Sequence, residues 1–131
     1  MIAADTNVWA RAILGDDPRQ SRAAQKALAQ AAEAGGVFVP LLVLVELGRV
    51  LKAAPGWDPD RVRQALDRLL DMEGVDVEAA PLAREALALR GGSVGFADNL
   101  IALGVQARGC SRLLTFDARF SQTGRAELLK A

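Results

Sequence analysis

Four short, largely apolar runs, each separated from the next by helical periodicity, limit what this chain can fold into. They lie at residues 1–4, 37–39, 75–77 and 112–115. Each is short and apolar on both faces, so each reads as a strand covered on both sides. Strands of that kind, joined through helices, build a parallel sheet with helices packed on both faces. The expected fold is therefore α/β, with a short central parallel sheet of four or five strands. The fifth strand is a weak candidate near residues 127–129. In such sheets ligands bind beyond the carboxyl ends of the strands, where the winding direction reverses.

Local signals place the helices. Residues 7–14 form the first, with Asp5, Thr6 or Asn7 available as its N-cap. Pro18 opens an alanine-rich second helix that runs to about Ala34 and stops at Gly35-Gly36. Pro40 starts a third, ended near Ala53 by Pro55-Gly56. Asp58-Pro59 is an N-cap and first-turn pair for a fourth, in which Val62, Leu66, Leu69 and Leu70 make one apolar stripe. A fifth helix spans 82–90 and is broken at Gly91-Gly92. The sixth spans 95–107, with Phe96, Leu100, Leu103 and Ala107 at helical spacing.

The 131 residues make one domain, 1–131, able to bury roughly two-thirds of its unfolded surface. The net charge is zero, so no whole-molecule field draws the chain to nucleic acid or membrane. Lysine occurs only at 26, 52 and 130; the remaining bases are arginine, which suits bidentate contact with phosphate but also follows from codon usage. Histidine is absent. That excludes Ser-His-Asp and Cys-His nucleophile pairs, paired-histidine ribonuclease chemistry and imidazole zinc sites. The single cysteine, Cys110, cannot form an internal disulfide and is expected as a small buried residue in a cytoplasmic protein. No basic leader precedes an apolar core, and the apolar run at 37–45 is too short to span a bilayer.

Against this background the carboxylates stand out. Asp5 ends the first strand and Asp117 follows the fourth, so in a parallel sheet both project at one edge; if those strands are neighbours, they face one cleft. Glu46 sits in Leu-Leu-Val-Leu-Val-Glu-Leu, part of a mostly apolar helix, where a buried carboxylate costs several kcal/mol (roughly) unless paired or bound to a cation. Asp98 falls in the first turn of its helix. Each acid also has a plainer role. Asp5 and Asp117 can cap helices, Asp98 can answer a helix dipole, and Glu46 can pair with Arg49 one turn on or stand at the polar edge of a partly exposed helix. Asn7 and Thr115 can serve local backbone bonds. The remaining acids, Glu78 among them, read as turns, caps or solvated faces. Taken together, four acids in a cleft without His or Cys would select a hard cation, Mg²⁺ or Mn²⁺, able to polarise a phosphodiester and activate water.

The pieces Ala4-Asp5-Thr6-Asn7-Val8, Glu46-Leu47, Phe96-Ala97-Asp98-Asn99-Leu100-Ile101-Ala102 and Leu114-Thr115-Phe116-Asp117-Ala118-Arg119-Phe120 occur in that order along the whole chain. With them the chain resembles the PIN domain, specifically the VapC-type toxins of type II toxin–antitoxin systems. The resemblance implies a three-layer PIN-like fold and a Mg²⁺- or Mn²⁺-dependent endoribonuclease. It implies that Asp5, Glu46, Asp98 and Asp117 are the catalytic metal ligands, with Asn7 and Thr115 in support. Its expected partners are RNA, a small VapB-like antitoxin and a second copy of the chain. Arg49, Arg112 and Arg119 are candidate contacts to RNA phosphates, with surface ion pairing as the plainer role. Gly92-Ser93-Val94-Gly95 departs from the acid or polar residue many relatives carry there.

Two other readings compete. One is a PIN-like module that binds RNA or protein with little or no catalysis. The other is a magnesium-dependent phosphotransfer domain, which the missing Asp-x-Asp signature and the missing lysine at the last strand disfavour.

Overall fold

A computed structural model describes residues 1–89 and 95–131. The Gly91-Gly92 break, the end of the fifth helix at Arg90 and the 92–94 stretch lie outside the described residues. The described chain packs as two compact units, Met1–Ala80 and Pro81–Ala131.

The first unit holds β1 (Ile2–Ala3), α1 (Thr6–Leu14), α2 (Pro18–Ala34), β2 (Val37–Val39), α3 (Leu41–Ala53), α4 (Pro59–Asp71) and β3 (Val75–Val77). Its three strands form a parallel sheet in the order β1-β2-β3, with Ile2 opposite Val37 and Val37 opposite Val75. Helices make every crossover, as parallel pairing requires. Val37 and Val39 are fully buried, and Leu44, Leu47, Leu51, Leu66 and Leu69 fill the core beside them. The predicted stripe on α4 is buried at all four positions.

The helix starts follow the local chemistry. Asp5, Asp17 and Asp58 cap α1, α2 and α4 by accepting hydrogen bonds from Val8, Gln20 and Arg61 backbone N–H groups. The N-cap of α3 is Pro40, which has no capping side chain. Glu78 substitutes from beyond β3, its Oε1 accepting from Leu41 N–H at 3.0 Å. Its sequence context points to a solvated face, because its partner lies 37 residues away. Gly74 permits the tight approach of the turn before β3. Its φ is +79°, and a Cβ there would stand 2.4 Å from the Ala32 carbonyl oxygen.

The second unit holds α5 (Ala80–Ala88), most of which lies beyond the boundary, α6 (Phe96–Ala107), β4 (Leu114–Thr115), α7 (Ala118–Gln122) and β5 (Glu127–Leu128). β4 and β5 pair in parallel, Leu114 with Glu127 and Thr115 with Leu128, so the weak fifth-strand candidate is present. The whole is an α/β protein built on parallel strands, as expected. No helix among the described residues is long and apolar enough to cross a membrane.

The structure differs from the sequence expectations at several places. Strand β1 is exposed, Ile2 by 50%, because it ends its ladder and has a hydrogen-bonded neighbour on one side only. Helix α6 buries Asn99, Leu100 and Ala102 rather than the Phe96-Leu100-Leu103-Ala107 stripe, and Ala107 is exposed. Cys110 is exposed, in the turn after Gly109 takes φ +84°. The five residues of α7 are too few to show periodicity, and only their cap, Asp117, was legible.

Candidate functional site

Asp5 sits where β1 hands over to α1. Its backbone is extended, at φ −78° and ψ 175°, and its Oδ1 accepts from Val8 N–H at 3.3 Å. The plainer role, an N-cap, is thus real, and it uses only one carboxylate oxygen. The next residue, Thr6, donates from Oγ1 to Glu46 Oε2 at 3.2 Å. That bond ties the carboxyl end of the first strand to the middle of α3. Asp5, Asn7 and Glu46 are all exposed.

Glu46 takes the plainer of its two expected settings, the polar edge of a partly exposed helix rather than a buried one. The buried residues of α3 are Leu44, Leu47, Gly48 and Leu51, while Leu42, Glu46, Arg49 and Val50 face solvent. A helix with this many apolar residues carries some on its wet side, and Leu42 is 67% exposed. Glu46 therefore pays no desolvation for a buried charge. Among the described residues no ion pair joins it to Arg49, and its partner is Thr6.

In the second unit, Asp98 is the third residue of α6, half-buried in the first turn. Its neighbour Asn99 is buried and donates from Nδ2 to the Ala86 carbonyl at 3.4 Å, holding α6 against α5. Sequence reading gave Asn99 no role; a polar residue on the dry side of an apolar helix was the available signal. Asp117 caps α7, its Oδ1 accepting from Arg119 N–H at 2.9 Å and Phe120 N–H at 3.4 Å. Thr115 Oγ1 accepts from Asp117 N–H at 3.0 Å and so fixes the turn that presents the carboxylate.

The three candidate arginines differ. Arg112 is engaged, its Nε and a terminal nitrogen each donating to Glu127 at 2.9 Å. Those hydrogen bonds and the opposite charge raise the Arg112 pKa and lower that of Glu127. Arg119 Nε lies 3.7 Å from Asp117 Oδ1. Arg49 is exposed and has no ion pair among the described residues.

Each unit thus holds two of the four acids, and within neither do the described residues form a group of three ligands for a metal ion. The donor chemistry fits a hard cation nonetheless: all four are oxygen donors. Asp5, Glu46 and Asp117 each spend one carboxylate oxygen on a positioning bond and leave the other without a hydrogen bond among the described residues.

A family model for the PIN domain matches residues 2–126. The chain belongs to the PIN domain family. Within that family it is similar to the VapC ribonuclease of Aquifex aeolicus, 29% identical over 89 residues that cover 67% of this chain and 66% of that protein. The match therefore spans just under two-thirds of the length of that relative. The PIN chain also has some likeness to the crystal structure of Mycobacterium tuberculosis VapC20, a sarcin–ricin-loop-cleaving toxin. That match has 22% identity, 95% coverage of both chains and a TM-score of 0.48.

Proposed function

We propose that this PIN domain is a Mg²⁺- or Mn²⁺-dependent endoribonuclease, the toxin of a type II toxin–antitoxin module acting in the cytoplasm. The observation that carries the proposal is the Thr6–Glu46 hydrogen bond at the carboxyl end of a parallel strand, in a chain of the PIN family. It draws the loop of one candidate ligand to another across 40 residues. The similarity to a VapC ribonuclease supports the same reading.

In this reading the whole chain is a single PIN domain, and Asp5, Glu46, Asp98 and Asp117 are its metal-ligating carboxylates. A divalent cation held by the four acids would polarise the scissile phosphate and acidify the attacking water. The protein's own part is orientation. Thr6 holds Glu46, Val8 N–H holds Asp5, and Thr115 with the α7 N–H groups holds Asp117, so each of these carboxylates is held in place by its own local bond. Exposed Leu42, one turn before Glu46, is the apolar anchor that an antitoxin segment covering the site would bury. A second copy of the chain completes the proposed assembly.

The test is cleavage of total RNA by the purified chain with Mg²⁺, Mn²⁺ or EDTA, alongside Asp98→Asn. Discrete fragments that require metal and disappear in the variant are expected. A folded, metal-loaded chain that cuts nothing would favour a binding module, and cleavage at the wild-type rate by Asp98→Asn would remove that residue from the site.

A further inference from the structure

Helix α2 carries its cations on one face. Arg19, Arg22 and Lys26 stand three and four residues apart, within about 60° of arc and along about 10 Å of helix. All three are exposed, whereas Ser21, Ala24 and Leu28 are buried on the opposite side. No carboxylate shares the stripe until Glu33. Elsewhere Arg11, Arg63, Arg112 and Arg119 pair with Asp16, Asp60, Glu127 and Asp117. Among the described residues no ion pair joins any of the α2 trio to an acid. A chain of zero net charge thus keeps three uncompensated cations in a row.

Their position relative to Asp5 follows from how α1 and α2 are laced. Arg11 Nε donates to Gln20 Oε1 at 2.9 Å, and Gln25 Nε2 donates to the Ala12 carbonyl at 2.9 Å. Only residues 15–17 separate the two laced helices, so α2 runs back past α1, and Asp5, at the head of α1, falls nearest the part of α2 from about residue 26 onward. At its other end α2 returns to the amino end of β1, where a Cβ on Gly35 would lie 3.2 Å from the Met1 nitrogen. Lys26 therefore starts the stripe at about the level of Asp5. Arg22 and Arg19 carry it about 6 Å and 10 Å further, beyond the carboxyl edge of the sheet.

We propose that Arg19, Arg22 and Lys26 form a rail that holds the phosphate backbone of the RNA substrate beside the Asp5–Glu46 end of the site. The proposal rests on the ribonuclease reading and adds to it the residues that position substrate. An RNA backbone fits this face better than an acidic protein segment does. Protein interfaces need large apolar or aromatic anchors, and the single large apolar residue of α2, Leu28, is buried. What α2 exposes is charge, alanine and glutamine, the surface of a contact to phosphate that reads no sequence.

The experiment measures binding of a single-stranded RNA oligonucleotide in EDTA over a range of salt, for the wild type and for Arg19→Gln/Arg22→Gln/Lys26→Gln. Losing three phosphate contacts makes the slope of log K against log salt shallower by about 2, and Arg22→Gln alone makes it shallower by about 0.7. The single variant serves if the triple fails to fold. In cleavage the triple raises KM more than it lowers kcat, while Arg68→Gln, exposed on α4, leaves both unchanged. An RNA-binding wild type whose slope survives the triple substitution would overturn the rail and leave the ribonuclease reading intact. The same unchanged slope with lost binding to poly-glutamate would reassign the face to an acidic protein. A wild type that binds no RNA at any salt would sink the ribonuclease reading itself, and the rail with it.

Discussion

The Thr6 hydroxyl donates a 3.2 Å hydrogen bond to Glu46 Oε2, joining the residue that follows the Asp5 carboxylate to the exposed face of α3. A single hydroxyl thereby fixes the rotamer of a carboxylate contributed by a different element. Thr6→Val removes the donor at nearly constant volume and leaves Glu46 free to swing. Loss of such an orienting partner costs about 10–100-fold in metal affinity or activity. Calorimetric titration with Mn²⁺ should show that loss, with Thr6→Ser restoring wild-type binding. Undiminished affinity in Thr6→Val would mean the hydroxyl orients nothing.

Asp5 and Asp117 each combine a helix cap with a proposed ligand role, and two substitutions separate the roles. Asparagine caps a helix as well as aspartate does, whereas alanine loses about 1 kcal/mol. Asp5→Asn and Asp117→Asn should therefore keep wild-type stability and lose metal-dependent cleavage. The alanine variants should lose both. Urea melts paired with RNA cleavage assays decide it, and active asparagine variants would reduce both residues to caps.

Ser21 is 5% exposed on the buried face of α2, and its Oγ has no hydrogen-bond partner. A buried hydroxyl left unsatisfied destabilises the fold, and alanine is also the better helix former. Ser21→Ala is expected to stabilise the protein by about 1 kcal/mol, read as an upward shift in Tm. A lower Tm would show that the hydroxyl makes a bond worth keeping.

The Arg112–Glu127 pair ties the approach to β4 to strand β5. Hydrogen bonds from Arg112, then its charge, lower the Glu127 pKa. The stability this brings is present above the usual glutamate range and is lost as pH falls through the lowered value. Both side chains are exposed, so the effect is small and weakens with salt. Melting curves from about pH 6 to about pH 3 should show a shallower acid decline for Glu127→Gln than for wild type, most clearly at low salt. Identical declines would show that the pair does not contribute.

Much of this protein is legible without its tertiary structure, because the signals are local. Pro18, Pro59 and the aspartates before them mark helix starts through bonds that span three residues. The four-residue stripe on α4 declares its buried face by periodicity alone. Asp5 and Asp117 occupy strand and helix junctions that adjacent residues specify. What the sequence determined is therefore the order of the elements apart from α7, the parallel α/β class and the positions of the acids along the chain.

Only the tertiary structure decided which faces are dry and which distant groups meet. Helix α3 is apolar nearly all round, so its pattern could not say that Glu46 looks outward; packing against α1 and α4 chose the covered side. Glu78 caps α3 and Thr6 holds Glu46 because the fold carries them across 37 and 40 residues. The face of α2 that carries Arg19, Arg22 and Lys26 is left exposed because two side-chain bonds lace the helix to α1 and its other side is buried. The physical reason is range: capping and turn energies act within a few residues, whereas burial and long-range hydrogen bonds exist only after the chain has closed on itself.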